Sequence, residues 1–208
     1  MKNETDSEAV RVIDHLFPPL FRSLCRYPNE CQVEMRHSAT ASTIWVRPHD
    51  NDFGLLLGTG VKTFRSFQTI CRAISDRTKH RIVLEKLQGG RPMDAAKKHW
   101  PAIAVKADFD IRPIHRLVIE TVQAFTKMAA FDVSKDGSCW RITVTVSSDE
   151  PARGDLEIES ALTTIMNAAA KIQGGDVRVC YVRSGGQIVE TPEEPQPETA
   201  AGRYAEET

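Results

Sequence analysis

Val10, Ile13, Leu16, Phe17, Leu20, Phe21 and Leu24 recur at the spacing of one helix face, and Pro18-Pro19 inside that run predicts a break or kink. After the turn-like Tyr27-Pro28-Asn29-Glu30, apolar Cys31, Val33 and Met35 alternate with polar Gln32, Glu34 and Arg36, the pattern of a half-buried strand. Thr43 to Val46 is a second strand, ended by Pro48. Asp50-Asn51-Asp52 offers helix caps ahead of a short helix over Phe53 to Leu57, which Gly58-Thr59-Gly60 stops. A longer helix follows over Val61 to Ser75. Phe64, Phe67, Cys71 and Ile74 form its apolar stripe, and Lys62, Arg65, Thr69 and Arg72 its polar one. His80 to Leu87 then has the composition of a strand. The predicted order is α-β-β-α-α-β.

Residues 89–112 hold Gly89-Gly90, Pro92 and Pro101, a stretch too long for an ordinary loop, and are expected to link a first domain at 1–88 to a second at 113–183. Ile103 to Val105 could add an edge strand. In the second domain, Leu117, Ile119, Val122 and Phe125 mark a helix over Ile114 to Met128. Phe131 and Val133 mark a strand, and Asp136-Gly137 a hairpin turn. Cys139 to Val146 alternates with Trp140, Ile142, Val144 and Val146 on one face. A helix over Ile158 to Ile172 stops at Gly174-Gly175, ahead of a last strand from Val177 to Val182. The order α-β-β-α-β repeats the first with one short helix fewer, which predicts a diverged internal repeat. Residues 184–208, with three prolines and six glutamates against Arg203 alone, are expected to be a disordered acidic tail.

The formal net charge of −1 hides a gradient along the chain. Between Thr59 and Lys86, seven Lys and Arg residues face only Asp76 and Glu85, a balance that attracts polyanions. No apolar run approaches the roughly 20 residues of a membrane span, and the first residues lack a basic segment followed by an apolar one. A cytoplasmic protein without membrane contact is the expectation. The five cysteines, with no Cys-x-x-Cys pair, suit small buried thiols in a reducing compartment. No clustering of Cys and His suggests a metal, and the six histidines are scattered. No nucleophile-elbow pattern supports Ser-His-Asp catalysis. Val61 between Gly60 and Lys62 breaks the phosphate-loop pattern. A non-enzymatic protein without cofactor is expected.

One segment carries more specific information. Asp52-Phe53-Gly54-Leu55-Leu56-Leu57-Gly58-Thr59-Gly60-Val61-Lys62-Thr63 resembles the signature of type II KH (K-homology) domains in small bacterial KH proteins: an acid, x-G-x-hydrophobic-hydrophobic-G-x-x-G, then a basic residue and Thr. Leu24-Cys25-Arg26-Tyr27-Pro28 resembles that family's helix end, and Arg81-Ile82-Val83-Leu84-Glu85 its closing strand. The resemblance covers about Leu24 to Leu87. It implies an α+β chain of two tandem type II KH-like domains, the second degenerate, whose first domain binds single-stranded RNA. The loop Gly58, Thr59, Gly60 and Val61 would clamp the backbone of about four nucleotides. Lys62 and Arg65 would pair with phosphates, Thr63 would complete the motif, and Arg47 and His49 would add contacts. Leu56 and Leu57 would line the groove for bases, with Asp52 as a cap. Another KH protein, or a second copy of the chain, is a further partner the resemblance allows. The alternative is a KH-fold protein-interaction module that has lost RNA.

The loop departs from the pattern at one place. The family's second loop glycine aligns with Val61, and the glycine here stands one position early, at Gly60. A β-branched residue resists positive φ. Either the turn moves by one residue or the loop grips nucleic acid weakly.

Overall fold

A computed structural model of the chain describes residues 4–85, 109–147 and 155–184. It is mixed α+β, with five α-helices and two three-stranded sheets among the described residues. The first half runs α1 (Glu4–Arg22), β1 (Gln32–His37), β2 (Ala41–Arg47), α2 (Phe53–Leu57), α3 (Lys62–Thr78) and β3 (Arg81–Leu84). The second runs α4 (Arg112–Gln123), β4 (Ala129–Asp136), β5 (Cys139–Val146), α5 (Asp155–Ile172) and β6 (Val177–Arg183). The edge strand expected at Ile103 to Val105 and the acidic tail beyond Ser184 lie outside the described residues.

The two halves share a topology. In the first, β1 pairs antiparallel with β2 and β2 parallel with β3. In the second, β4 pairs antiparallel with β5 and β5 parallel with β6. A parallel pair needs a long crossover. In the first half α2 and α3 make it, and in the second α5 does. The alternation in β2 buries Ser42, Ile44 and Val46, and that in β5 buries Ile142, Val144 and Val146.

Of the break or kink expected in α1, the break does not occur: the helix continues through Pro18 and Pro19. Each proline removes one backbone hydrogen bond, a cost of about 3 kcal/mol in a helix interior. Burial of Phe17, Leu20 and Phe21 around the prolines offsets it, since tertiary packing rather than propensity decides most helices. Phe21 stacks on Phe67 of α3 with ring centroids 4.3 Å apart. On α3 the buried stripe is Thr63, Ser66, Phe67, Ile70, Cys71 and Ile74, with Phe64 half-buried at its border. Burial pushes the Cys71 thiol up to about 12.

α3 packs along α5, and the buried apolar residues of both halves form one contiguous cluster. Arg77 of α3 reinforces the junction by donating to the carbonyls of Gln123 and Thr126, the latter at 3.2 Å. α5 also guards the free edge of β6. Thr163 accepts from the Val179 amide at 3.3 Å and donates to the Val179 carbonyl at 2.9 Å, while Glu159 accepts from the Tyr181 amide at 3.3 Å. Unpaired strand edges invite foreign strands, and these side chains occupy this one. Ser75 of α3 does the same for β3, accepting from the Ile82 amide at 2.9 Å.

Candidate nucleic-acid interface

The loop between α2 and α3 is built from three successive demands on the backbone. Gly58 adopts φ 69°, ψ 171°, a region essentially reserved for glycine. A Cβ on Gly58 would fall 2.2 Å from the Thr63 Oγ1, so the position also lacks room for a side chain. Gly60 is left-handed at φ 60°, ψ 28°, in open space. Val61 is left-handed as well, at φ 65°, ψ 18°. Two successive residues are thus left-handed, and at the second a β-branched side chain takes a conformation it ordinarily resists. Such a residue carries about 1–3 kcal/mol of strain. The Val61 amide donates to the Gly58 carbonyl at 3.1 Å, and the Lys62 amide to that of Thr59.

Thr59, Gly60, Val61, Lys62 and Arg65 are exposed, and together they form a protruding corner with two cations on the first turn of α3. Thr63 is buried beneath Gly58 and braces the loop from inside. Leu56 is buried in the core, which leaves half-buried Leu57 as the α2 leucine next to the loop that reaches the surface.

Arg47 and His49 precede α2, separated along the chain from Gly58 by a 3-10 turn (Asp50–Asp52) and the whole of α2. His49 Nδ1 accepts from the Asn51 amide at 3.2 Å, and its Nε2 is 3.7 Å from Glu30. His49 thus caps this turn, while Asp52, at the N-cap position of α2, makes no side-chain cap bond there. Asp52 is fully buried and reaches away from its own helix: Oδ2 accepts from the Tyr27 amide at 2.9 Å, while Oδ1 has no partner. Tyr27, to which the sequence assigned no binding role, lies against His49 with ring centroids 4.5 Å apart.

A second constellation escaped the sequence because its members are far apart in the chain. Asp14 Oδ1 is 3.0 Å from His37 Nε2, His37 Nδ1 is 2.7 Å from Ser42 Oγ, and Ser42 Oγ is 2.7 Å from His80 Nε2. With both rings assigned as Nε2–H tautomers, His80 donates to Ser42, Ser42 to His37 and His37 to Asp14, and every proton has one acceptor. The order resembles a Ser-His-Asp triad, but Ser42 is 0% exposed and its one proton is committed. This arrangement ties α1, β1, β2 and the start of β3 together and gives the hydroxyl no route to a substrate.

All five cysteines are free. Cys25 and Cys31 sit together beside the Tyr27 turn: the hydrogen bond between them, then burial, pushes the Cys25 thiol far up, and the same bond lowers Cys31. Among the described residues no cluster of His, Cys, Asp or Glu could hold a metal, and no helix is long and apolar enough to cross a membrane. No protein-family model matches the chain, and no curated protein matches it.

Proposed function

We propose that the first half is a type II KH-like clamp for single-stranded RNA, and that the second half is a degenerate copy serving chiefly in packing. The observation that carries this reading is the left-handed corner at Gly60–Val61. It projects between two helices with Lys62 and Arg65 exposed behind it. A β-branched residue held in a glycine conformation marks a backbone shape imposed against local preference, and such outliers gather at functional sites. A KH loop needs that shape to bring its backbone close to a nucleic-acid strand. The element order α-β-β-α-α-β and the two cations one turn apart support the same reading. Bases would lie beside Leu57, with the phosphates toward Lys62 and Arg65. The clamp is a binding protein rather than an enzyme, and the cytoplasm is its expected location.

One observation favours the alternative of a protein-interaction module: the Val61 side chain is apolar and 39% exposed at the tip of the corner. Fluorescence anisotropy with a labelled single-stranded RNA pool, at two salt concentrations, separates the two. Wild type is expected to bind with log affinity falling by roughly 0.7 per phosphate contact per log unit of salt. Lys62→Glu with Arg65→Glu should abolish that binding while the far-ultraviolet circular dichroism stays unchanged. Affinity that survives the double substitution refutes the clamp.

A further inference from the structure

We infer that Tyr27 and His49 form a base-stacking platform, a second contact for the RNA strand beyond the loop. The inference rests on the RNA-binding reading and extends it to a feature that a KH loop does not itself supply, an aromatic face.

Four observations converge on Tyr27. It is 44% exposed, one of few large apolar residues so placed among the described residues. Its ring lies against the His49 imidazole, 4.5 Å between centroids at an interplanar angle of 46°. Its amide is gripped by the fully buried Asp52 carboxylate. Pro28 follows it and restricts its backbone. The Asn51 amide orients His49 through Nδ1, and Glu30 lies 3.7 Å from its Nε2. Burying a carboxylate with one oxygen unpartnered is costly. Here the carboxylate anchors the backbone from which the exposed ring projects. Preorganising an aromatic face lowers the entropy lost when a ligand stacks on it.

The position suits the same strand. α2 joins the two features, with His49 ahead of its first turn and Gly58 at its end. Arg47, exposed at the end of β2, stands two residues from His49 in the chain and is a cation available to a strand that reaches the rings. Glu30 and Asp50 flank the pair as well, which argues that the rings meet the flat, uncharged face of a base and that phosphates stay toward Arg47 and Lys62. Every base offers such a face, so the platform tolerates sequence.

The test uses the full chain and a single-stranded oligoadenylate of about twelve nucleotides, fluorescein-labelled for anisotropy, with a second version carrying 2-aminopurine to report stacking. Tyr27→Ala should weaken binding roughly 5- to 150-fold, the range for losing one base–aromatic stack. The slope of affinity against salt should not change, because no charge is removed, and 2-aminopurine quenching should fall. Tyr27→Phe keeps the ring and should bind as wild type. Four results overturn the platform. Tyr27→Ala that binds as wild type, while Lys62→Glu with Arg65→Glu binds poorly, removes the platform and leaves the clamp standing. A loss accompanied by a shallower salt slope assigns Tyr27 to holding phosphate contacts. A loss that Tyr27→Phe shares points to the hydroxyl instead of the ring. No binding by folded wild type removes both the platform and the clamp.

Discussion

The two halves share element order and strand pairing, yet they treat left-handed backbone differently. In the second half the described positive-φ residues are Gly137 in the β4–β5 turn and Gly174 after α5. In the first half, Lys79 takes the left-handed position after α3, and Val61 that before it. Lys79 has a compensation, because a cation near a helix C-terminus interacts favourably with the helix dipole. Val61 has none: it is β-branched, exposed and apolar. The second half thus builds its turns from residues that tolerate them, while the first half carries strain at the one corner that carries the proposed function. The edges differ in the same sense. Two side chains of α5 hold β6 where one of α3 holds β3.

The largest expected effect tests whether the halves are one unit. Phe67 is fully buried on α3 and stacks on Phe21 of α1. Phe67→Ala should cost about 3–5 kcal/mol. Because the core is contiguous, the urea transition should shift equally when followed at Trp45 in the first sheet and at Trp140 in the second, in variants that keep one or the other tryptophan. A shift confined to Trp45 would show that the halves unfold independently.

A smaller effect sharpens the contrast between their loops. Gly58→Ala places a Cβ against Thr63 in a glycine-only conformation and should cost about 3 kcal/mol. Gly137→Ala is the matched change in the second half. Its φ is 59° but the space around it is open, so only the dihedral cost of about 1 kcal/mol applies. Equal costs in chemical denaturation would mean that Thr63 gives way and does not brace the loop.

Much of the architecture was legible because periodicity reports which faces are buried. The hairpin at Asp136-Gly137, the strand Cys139–Val146 and the helix Phe53–Leu57 fall where the residues predict them. The continuous α1 was not legible, since proline propensity is local and its compensation comes from Phe67 on another helix. The roles of Asp52 and Tyr27 were hidden for the same reason: an acid three residues before an apolar run satisfies a capping rule, and only the fold shows that its carboxylate reaches an amide 25 residues back. The Asp14–His37–Ser42–His80 chain has no sequence signature at all, because its four members come from four segments. At the loop, the sequence exposed the conflict between valine and positive φ, and the fold resolved it by straining the valine.

That resolution yields the smallest and most informative change. Val61→Gly relieves about 1–3 kcal/mol of left-handed strain and adds about 0.5–1 kcal/mol of chain entropy to the unfolded state. The net gain should be about 1 kcal/mol, read as a higher urea midpoint at unchanged slope. Lys79→Gly, the matched change after α3, should move stability less, because relief of its strain is offset by chain entropy and by the lost dipole interaction. The two substitutions differ more in what they do to binding. Lys79 lies at the far end of α3, and replacing it should leave the proposed RNA binding nearly unchanged. Val61→Gly removes an exposed isopropyl group from the surface that the proposed clamp presents to the strand, and affinity should rise several-fold. A fall in affinity would instead make the Val61 side chain a contact in its own right, and the strain would then hold that contact in place.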